Sequence, residues 1–343
     1  MVATLKDVAG AAGVSVKTVS NVVNGYEFVK ESTRARVLAA IDELGYQPNL
    51  AARNLRTGRT GVIGLAVPSL SFSYFAELAD AVLEAARKVG FVTLIEQTGG
   101  NRAAELELLR GPRLSMLDGL LFSPLGMSDD DAAHLNVEYP LVLLGERIFN
   151  GPTDHVLMQN VNGGYAATEH LIRAGRRRIA VLGAHAAESV GSAALRLEGY
   201  RRALKDYGLG LGDELVIFRE GWHRSDGAAA TRELIESGRS FDAVFALNDE
   251  LALGALRVLN QANIRVPEQV AVIGFDNLIE SQFAMPSLST IDPGRSAIAE
   301  KAVAALIERI GDRDGAVGPP RQIEVPFSLM ERESTLVKVS VTH

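Results

Sequence analysis

The chain has 343 residues, is 47% hydrophobic and 22% charged, contains no cysteine and carries a formal net charge of −7. It is long enough for two domains with a substantial core, and the missing cysteine excludes disulfides, thiolate–metal sites and a Cys nucleophile. No stretch approaches the roughly 18 uncharged apolar residues of a membrane span, and the start MVATLKDVAG has no apolar segment after a basic one, so a cytoplasmic location is expected. The acidic average hides an asymmetry. Residues 1–60 hold eight Lys+Arg against five Asp+Glu, a local +3, which leaves 27 against 37, or −10, for the rest. A mildly basic module suited to a polyanion is joined to an acidic body.

The first 60 residues read as short helices without a strand partner. Leu5 to Ala12 is helical by composition, Gly13 breaks it, and Ser15 is a good N-cap for a helix starting at Val16. The stretch VSVKTVSNVV is rich in β-branched residues, yet only Val14 and Val16 alternate; Val19, Val22 and Val23 follow helical spacing. That spacing buries the three valines and leaves Val16, Lys17, Ser20 and Asn21 on a roughly opposite face. Helix, Gly-containing turn and helix make a helix-turn-helix, with a small helical cap domain as the alternative. Ser32 or Thr33 is expected to cap a third helix with a Val37, Ile41, Leu44 stripe, closed by Gly45. After Pro48, NLAARNLR begins with Asn49 as a cap and is too short to be a stable helix alone.

From Gly61 onward, apolar runs alternate with amphipathic stretches. The runs are VIGLAVP (62–68), FVTLIEQ (91–97), GLLFSP (119–124), LVLLGE (141–146), IAVLGA (179–184), AVFALN (243–248) and VAVIGF (270–275). Short buried runs separated by 10–20 helical residues predict βαβ units and parallel sheets, with 75–89 and 163–174 as crossover helices. The pattern starts at 61 and again at 178, which predicts two doubly wound lobes. Chain crossings are expected near VNGG (161–164), SLSTIDPG (287–294) and PPRQIEVP (319–326), and a ligand belongs in the cleft between the lobes.

TLKDVAGAAGVSVKTVSNVVNG, followed by TRARVLAAIDELGYQPNLAARNLRTGRTGVIGL, resembles the N-terminus of the lactose and purine repressor (LacI) family. The similarity runs on through HLIRAGRRRIAVLG, RLEGYRRAL, LNDELALGAL, VPEQVAVIGFDN and PSLSTI. It implies an α/β fold: a helix-turn-helix domain (1–48), a hinge helix and linker (49–60) and a two-lobed, periplasmic-binding-protein-like effector and dimerisation domain (61–339). The N-lobe is expected at 61–161 and 292–321, and the C-lobe at 162–291 and 322–339.

The resemblance also implies roles. The second helix would lie in a major groove, with Val16, Lys17 and Asn21 at base edges. Ser15, Thr18, Ser20 and Asn24 are phosphate-contact candidates, although Ser15 serves equally as a plain helix cap. Asn49 opens the hinge segment, and Leu55 matches the Leu that the family wedges into the minor groove. Effector candidates are Tyr74 and Phe75 after the first strand, Ser123, Ser192, Arg196 opening RLEGY, Trp222, Asn248 in LND and Asp276 in FDN. Tyr74 and Phe75 also read as core residues, and Asp276 also reads as a turn cap.

Two departures from the family stand out. Met158 and Gln159 replace an Asp-Asn pair common before the Gly-Gly, and Val190 stands where a purine-binding relative carries Arg. The second points away from a purine and toward a sugar. The C-terminus STLVKVSVTH has no heptad run, which favours a homodimer on a pseudo-palindromic operator over a coiled-coil tetramer. An enzyme is not expected: the six His are scattered, there is no G-x-S-x-G or P-loop, and no metal or cofactor is implied. The expected function is DNA-binding repression controlled by a sugar-like effector. A purine or other corepressor is the alternative, with a non-DNA-binding sugar-binding protein a more distant one.

Overall fold

The computed structural model describes residues 3–23, 26, 28–46, 59–186, 190–210, 213–312 and 317–336. It divides into two compact units, Met1–Thr60 and Gly61–His343.

In the first unit, α1 (Leu5–Ala12), α2 (Val16–Val23) and α3 (Glu31–Leu44) surround a small core. Thr4 and Asp7 form a reciprocal capping box at the start of α1, and Gly13 ends it at φ 63°, a left-handed conformation that glycine takes without strain. The Ser15 hydroxyl accepts the Thr18 N–H at 3.1 Å and so caps α2. Val19 and Val22 are buried with Val8, Ala12 and Val37, and Val23 is half-buried against the same cluster. The β-branched stretch is therefore helical because its spacing supplies a buried face, which outweighs propensity.

Two details of α3 differ from expectation. It begins at Glu31 after Lys30, whose side chain makes no capping bond, so Ser32 and Thr33 fall inside the first turn. Leu44 is exposed and the buried stripe is Val37 with Ala40. The chain reverses at Gly45 (φ 59°), the Tyr46 N–H donates to the Ile41 carbonyl at 3.0 Å, and Tyr46 folds into the core position expected of Leu44.

The second unit holds two six-stranded sheets of matching order. In the N-lobe, β1 (Val62–Val67), β2 (Val92–Gln97), β3 (Gly119–Phe122), β4 (Leu141–Leu144), β5 (Asp154–Met158) and β11 (Gln322–Val325) run in the order β2-β1-β3-β4-β5-β11. In the C-lobe, β6 (Ile179–Ala184), β7 (Val216–Phe218), β8 (Ala243–Ala246), β9 (Ala271–Phe275), β10 (Ser289–Asp292) and β12 (Ser328–Met330) run β7-β6-β8-β9-β10-β12. Neighbouring strands are parallel except β10 with β12. Helices α4 (Ser73–Lys88) and α11 (Arg295–Gly311) pack on one face of the first sheet, beside Ile63, Leu65, Leu121 and Val142. Helices α6 (Asn160–Arg173) and α7 (Ser192–Asp206) cover one face of the second sheet, and α8 (Arg224–Glu236) and α9 (Asp249–Gln261) the other. Short helices α5 (Arg102–Leu108) and α10 (Ile279–Phe283) follow β2 and β9.

All seven apolar runs are strands, but three connecting segments differ from expectation. VNGG lies inside α6 instead of breaking the chain, because its glycines allow close packing. A Cβ on Gly163 would come within 2.7 Å of the Phe275 ring, and one on Gly164 within 2.4 Å of the Arg196 carbonyl oxygen. SLSTIDPG contains β10, which pairs with β9, so the crossing follows Asp292. Residues 322–325 form β11 beside β5 in the N-lobe sheet, so the third crossing lies between Val325 and Ser328, and 322 does not open the C-lobe segment.

Candidate functional site

In the sequential βαβ units of both lobes, the loops that follow the parallel strands gather at their C-terminal ends, and the cavity between the lobes is built from them. All eight effector candidates line it: Tyr74, Phe75, Ser123, Ser192, Arg196, Trp222, Asn248 and Asp276. The N-lobe supplies mainly an apolar wall, including Leu78, Leu144, Val156 and Ile298, and the C-lobe supplies most of the polar groups.

Arg196 is the centre of the polar wall. It is 2% exposed; its Nε donates to Asn160 Oδ1 at 2.7 Å, Nη1 donates to the Leu247 carbonyl, and Nη2 lies 3.5 Å from Asp276 Oδ1. The guanidinium stacks 3.6 Å from the Phe275 ring centre and lies 5.4 Å from that of Trp222. Trp222 is itself fixed by its indole N–H, which donates to the Gly183 carbonyl at 2.7 Å. Asn248 caps α9 through the Leu251 N–H at 2.8 Å and donates to the Trp222 carbonyl at 3.1 Å.

Asp276 is under-paired for a buried carboxylate. Among the described residues its side chain takes only the long contact from Arg196, and burial pushes its pKa up to about 7 against the pull of Arg196. Its backbone stands at φ 115°, which L-residues rarely adopt, held by its N–H donating to the Ile291 carbonyl at 2.8 Å and by Arg295 Nη1 donating to its carbonyl at 2.7 Å. A strained, buried acid with spare acceptor capacity is suited to ligand hydroxyl or N–H groups. Beneath it, Asp249 is better satisfied, accepting from Leu278 N–H, Ser281 Oγ and Thr290 Oγ1 at 2.6–2.8 Å; burial still raises its pKa to about 6.

Cavity residues not singled out from sequence include Phe72, Glu146, His185 and Glu250, and Met158, noted only as a departure from the family, lines it too. Several of them bind the lobes together. Ser192 Oγ donates to Glu146 Oε2 at 2.9 Å, Ser73 N–H donates to Glu250 Oε1 at 2.8 Å, and Phe72 stacks on His223 at 4.2 Å and 5°. Burial raises the pKa of Glu146. Among the described residues no His/Asp/Glu group is arranged to hold a metal, and no helix is long and apolar enough to cross a membrane.

In the first unit, Val16 and Lys17 are exposed, Asn21 is half-exposed, and Ser20 and Thr18 are partly buried on the same helix. Ser15 is engaged as the cap, with its hydroxyl 2.9 Å from that of Thr18. Asn24, Asn49 and Leu55, and with them the hinge segment, lie outside the described residues.

Comparison with known proteins decides the family. Residues 4–49 match the profile described as bacterial regulatory proteins, lacI family, and residues 168–335 match a periplasmic binding protein-like domain. The chain is 32% identical over 315 residues to the HTH-type transcriptional repressor PurR of Vibrio vulnificus, covering 91% of this chain and 93% of the relative. It belongs to the lacI family of bacterial regulatory proteins. It is thus a DNA-binding transcriptional regulator with an effector-binding domain, and the family is one of repressors, not enzymes. A structure described as a LacI-family regulator from Sanguibacter keddieii is 52% identical, with a TM-score of 0.75 over 81% of this chain and 99% of that one. The regulator CelR in complex with cellobiose is 32% identical, with a TM-score of 0.71 over 97% and 99% of the two chains. The lac repressor dimer bound to operator and the anti-inducer ONPF is 27% identical, with a TM-score of 0.83 over 98% and 100%.

Proposed function

We propose that this repressor acts as a homodimer on a pseudo-palindromic operator in the cytoplasm and is released by a sugar or sugar derivative that binds between the two lobes. The observation that carries the reading is the cavity wall in which Arg196 and Asp276 stand beside Trp222. A planar donor fork, an under-bonded acid and an aromatic platform match the hydroxyl pairs and apolar face of a pyranose. The cellobiose-bound CelR supports a sugar. The PurR relatives favour a purine as the second reading; against it, Val190 replaces the Arg of a purine-binding relative, and its carbonyl accepts from Arg147 at 3.3 Å.

On the DNA side, Lys17 and Asn21 read base edges, with Val16 at a thymine methyl, while Thr18, Ser20 and Asn24 meet phosphates and Ser15 holds the helix start. By the family resemblance, Asn49 and Leu55 belong to the hinge segment, and Leu55 is the side chain proposed to wedge the minor groove. Exposed apolar residues support the homodimer. Leu94, Ile95 and Met116 line one groove at the free edge strand β2, and Phe283 and Met285 stand exposed in the C-lobe. Sugar binding would change how paired hinge helices meet, and a difference of a few kcal/mol between states suffices to switch operator affinity by orders of magnitude.

Trp222 is the only tryptophan, so its emission reports the cavity without a label. Titration with sugars should change it and lower operator affinity over the same concentrations. A response to nucleobases alone would overturn the sugar assignment.

A further inference from the structure

Three helices direct their N-termini at the cavity: α4 through Phe72 and Tyr74, α7 through Ser192 and Ala193, and α9 through Asn248 and Glu250. Such ends ordinarily receive anionic ligand groups. Here the chain's own acids stand in that place. Glu250 accepts the Ser73 N–H at 2.8 Å, Glu146 accepts the Ser192 hydroxyl at 2.9 Å, and Asp249 and Glu250 fill the first turn of α9 behind the Asn248 cap.

The cations of the cavity are equally committed. Arg196 already donates to Asn160, the Leu247 carbonyl and Asp276, with one face on Phe275, and Arg147 donates to the Val190 carbonyl. Against those two arginines and His185 stand Glu146, Glu220, Glu250 and Asp276, the first and the last two of them buried. A phosphate or carboxylate entering this space would face carboxylates at the helix ends and would have to break existing pairs to reach a guanidinium. Neutral hydroxyls, by contrast, donate to those same carboxylates at no charge cost.

Resting on the sugar reading above, we infer that the effector carries neither phosphate nor carboxylate: the cavity takes an uncharged sugar and excludes its anionic derivatives. The inference separates neutral sugars from sugar phosphates and uronic acids, which the sugar reading alone does not.

The test is a thermal-shift and Trp222 fluorescence panel on the full-length protein, with glucose, galactose, ribose and cellobiose, glucose 6-phosphate and glucuronate, and hypoxanthine and guanine. The expected result is stabilisation by a neutral sugar, with its phosphate or uronate at least about tenfold weaker. An anionic sugar binding as tightly as its neutral parent overturns the inference and leaves the sugar reading standing. Response to a purine alone, or to no sugar at all, overturns the sugar reading itself. Glu146→Gln combined with Glu250→Gln keeps the hydrogen-bond acceptors and removes two charges, so it should narrow the preference for the neutral sugar by about tenfold or more. An unchanged preference would show that these carboxylates do not set it.

Discussion

The two lobes share a strand order, yet Asp154 in the N-lobe and Asp276 in the C-lobe, both buried, are held in opposite ways. In the N-lobe, Asp154 sits at the start of β5, at the end of the sheet away from the cavity, and is fully engaged. Arg309 donates to both its oxygens at 2.8–3.0 Å, and Arg321 adds its guanidinium at 2.9 Å and its backbone N–H at 2.8 Å. In the C-lobe, Arg196 on α7 and Asp276 just after β9 meet at 3.5 Å, and the Asp276 carboxylate keeps acceptor capacity unused. Burial without full pairing is costly, and it is found where a ligand can complete the set. The acid that fixes the fold at the far end of the N-lobe sheet thus differs from the acid that faces the cavity with acceptor capacity to spare.

The sharpest way to break this contrast is Arg196→Ala. It removes a buried cation stacked on Phe275 and should cost about 3–5 kcal/mol of stability as well as the effector response, read by denaturant unfolding and Trp222 titration. Wild-type effector affinity in this variant would refute the assignment. Asp154→Asn comes next. With Arg309 and Arg321 losing their charge partner, a loss of about 2 kcal/mol is expected, with effector affinity within a factor of about two of wild type. A large change in effector affinity would show that the N-lobe clamp is not separate from the cavity.

The pH dependence of the two acids sharpens the contrast further, because the signs are opposite. The guanidiniums beside Asp154 hold its pKa down to about 2, so its stabilisation is complete above about pH 4 and is lost as pH falls toward 2. Asp276, raised to about 7, stabilises the fold most below about pH 4 and loses that contribution as pH climbs through 7. Asp276→Asn should therefore raise the melting temperature at pH 8 by several degrees and flatten the profile between pH 4 and 8, while weakening the effector. A melting temperature at pH 8 no higher than wild type would contradict the under-paired carboxyl. The smallest expected effect on the fold is that of Leu55→Ala, which should weaken operator binding and leave effector affinity nearly unchanged.

Much of this arrangement is legible in the sequence, and the exceptions have physical causes. Six of the seven apolar runs are interior strands with mostly buried residues, and the seventh, β2, is a largely exposed edge strand that still reads as a run; β7, β11 and β12 are short edge strands, and β5 and β10 are interior but interrupted by polar residues, so these five gave no such run. VNGG read as a break because glycine signals a turn locally, while its use here is a helix contact visible only once α6 meets α7. The eight cavity candidates came from family resemblance joined to positions at strand ends. Glu146, closing LVLLGE, and His185, following IAVLGA, satisfy the same strand-end rule and were within reach of it. Phe72 left no comparable signal, since its role depends on His223 arriving from the other lobe.

The most direct test of the account is operator binding followed by anisotropy of a labelled duplex selected by the protein itself, titrated with the neutral sugar that quenches or enhances Trp222, for wild type and Arg196→Ala side by side. The account predicts that the sugar releases the wild-type protein from operator and leaves the variant bound with its operator affinity intact. Equal release of both, or release of neither while Trp222 still responds, would contradict it.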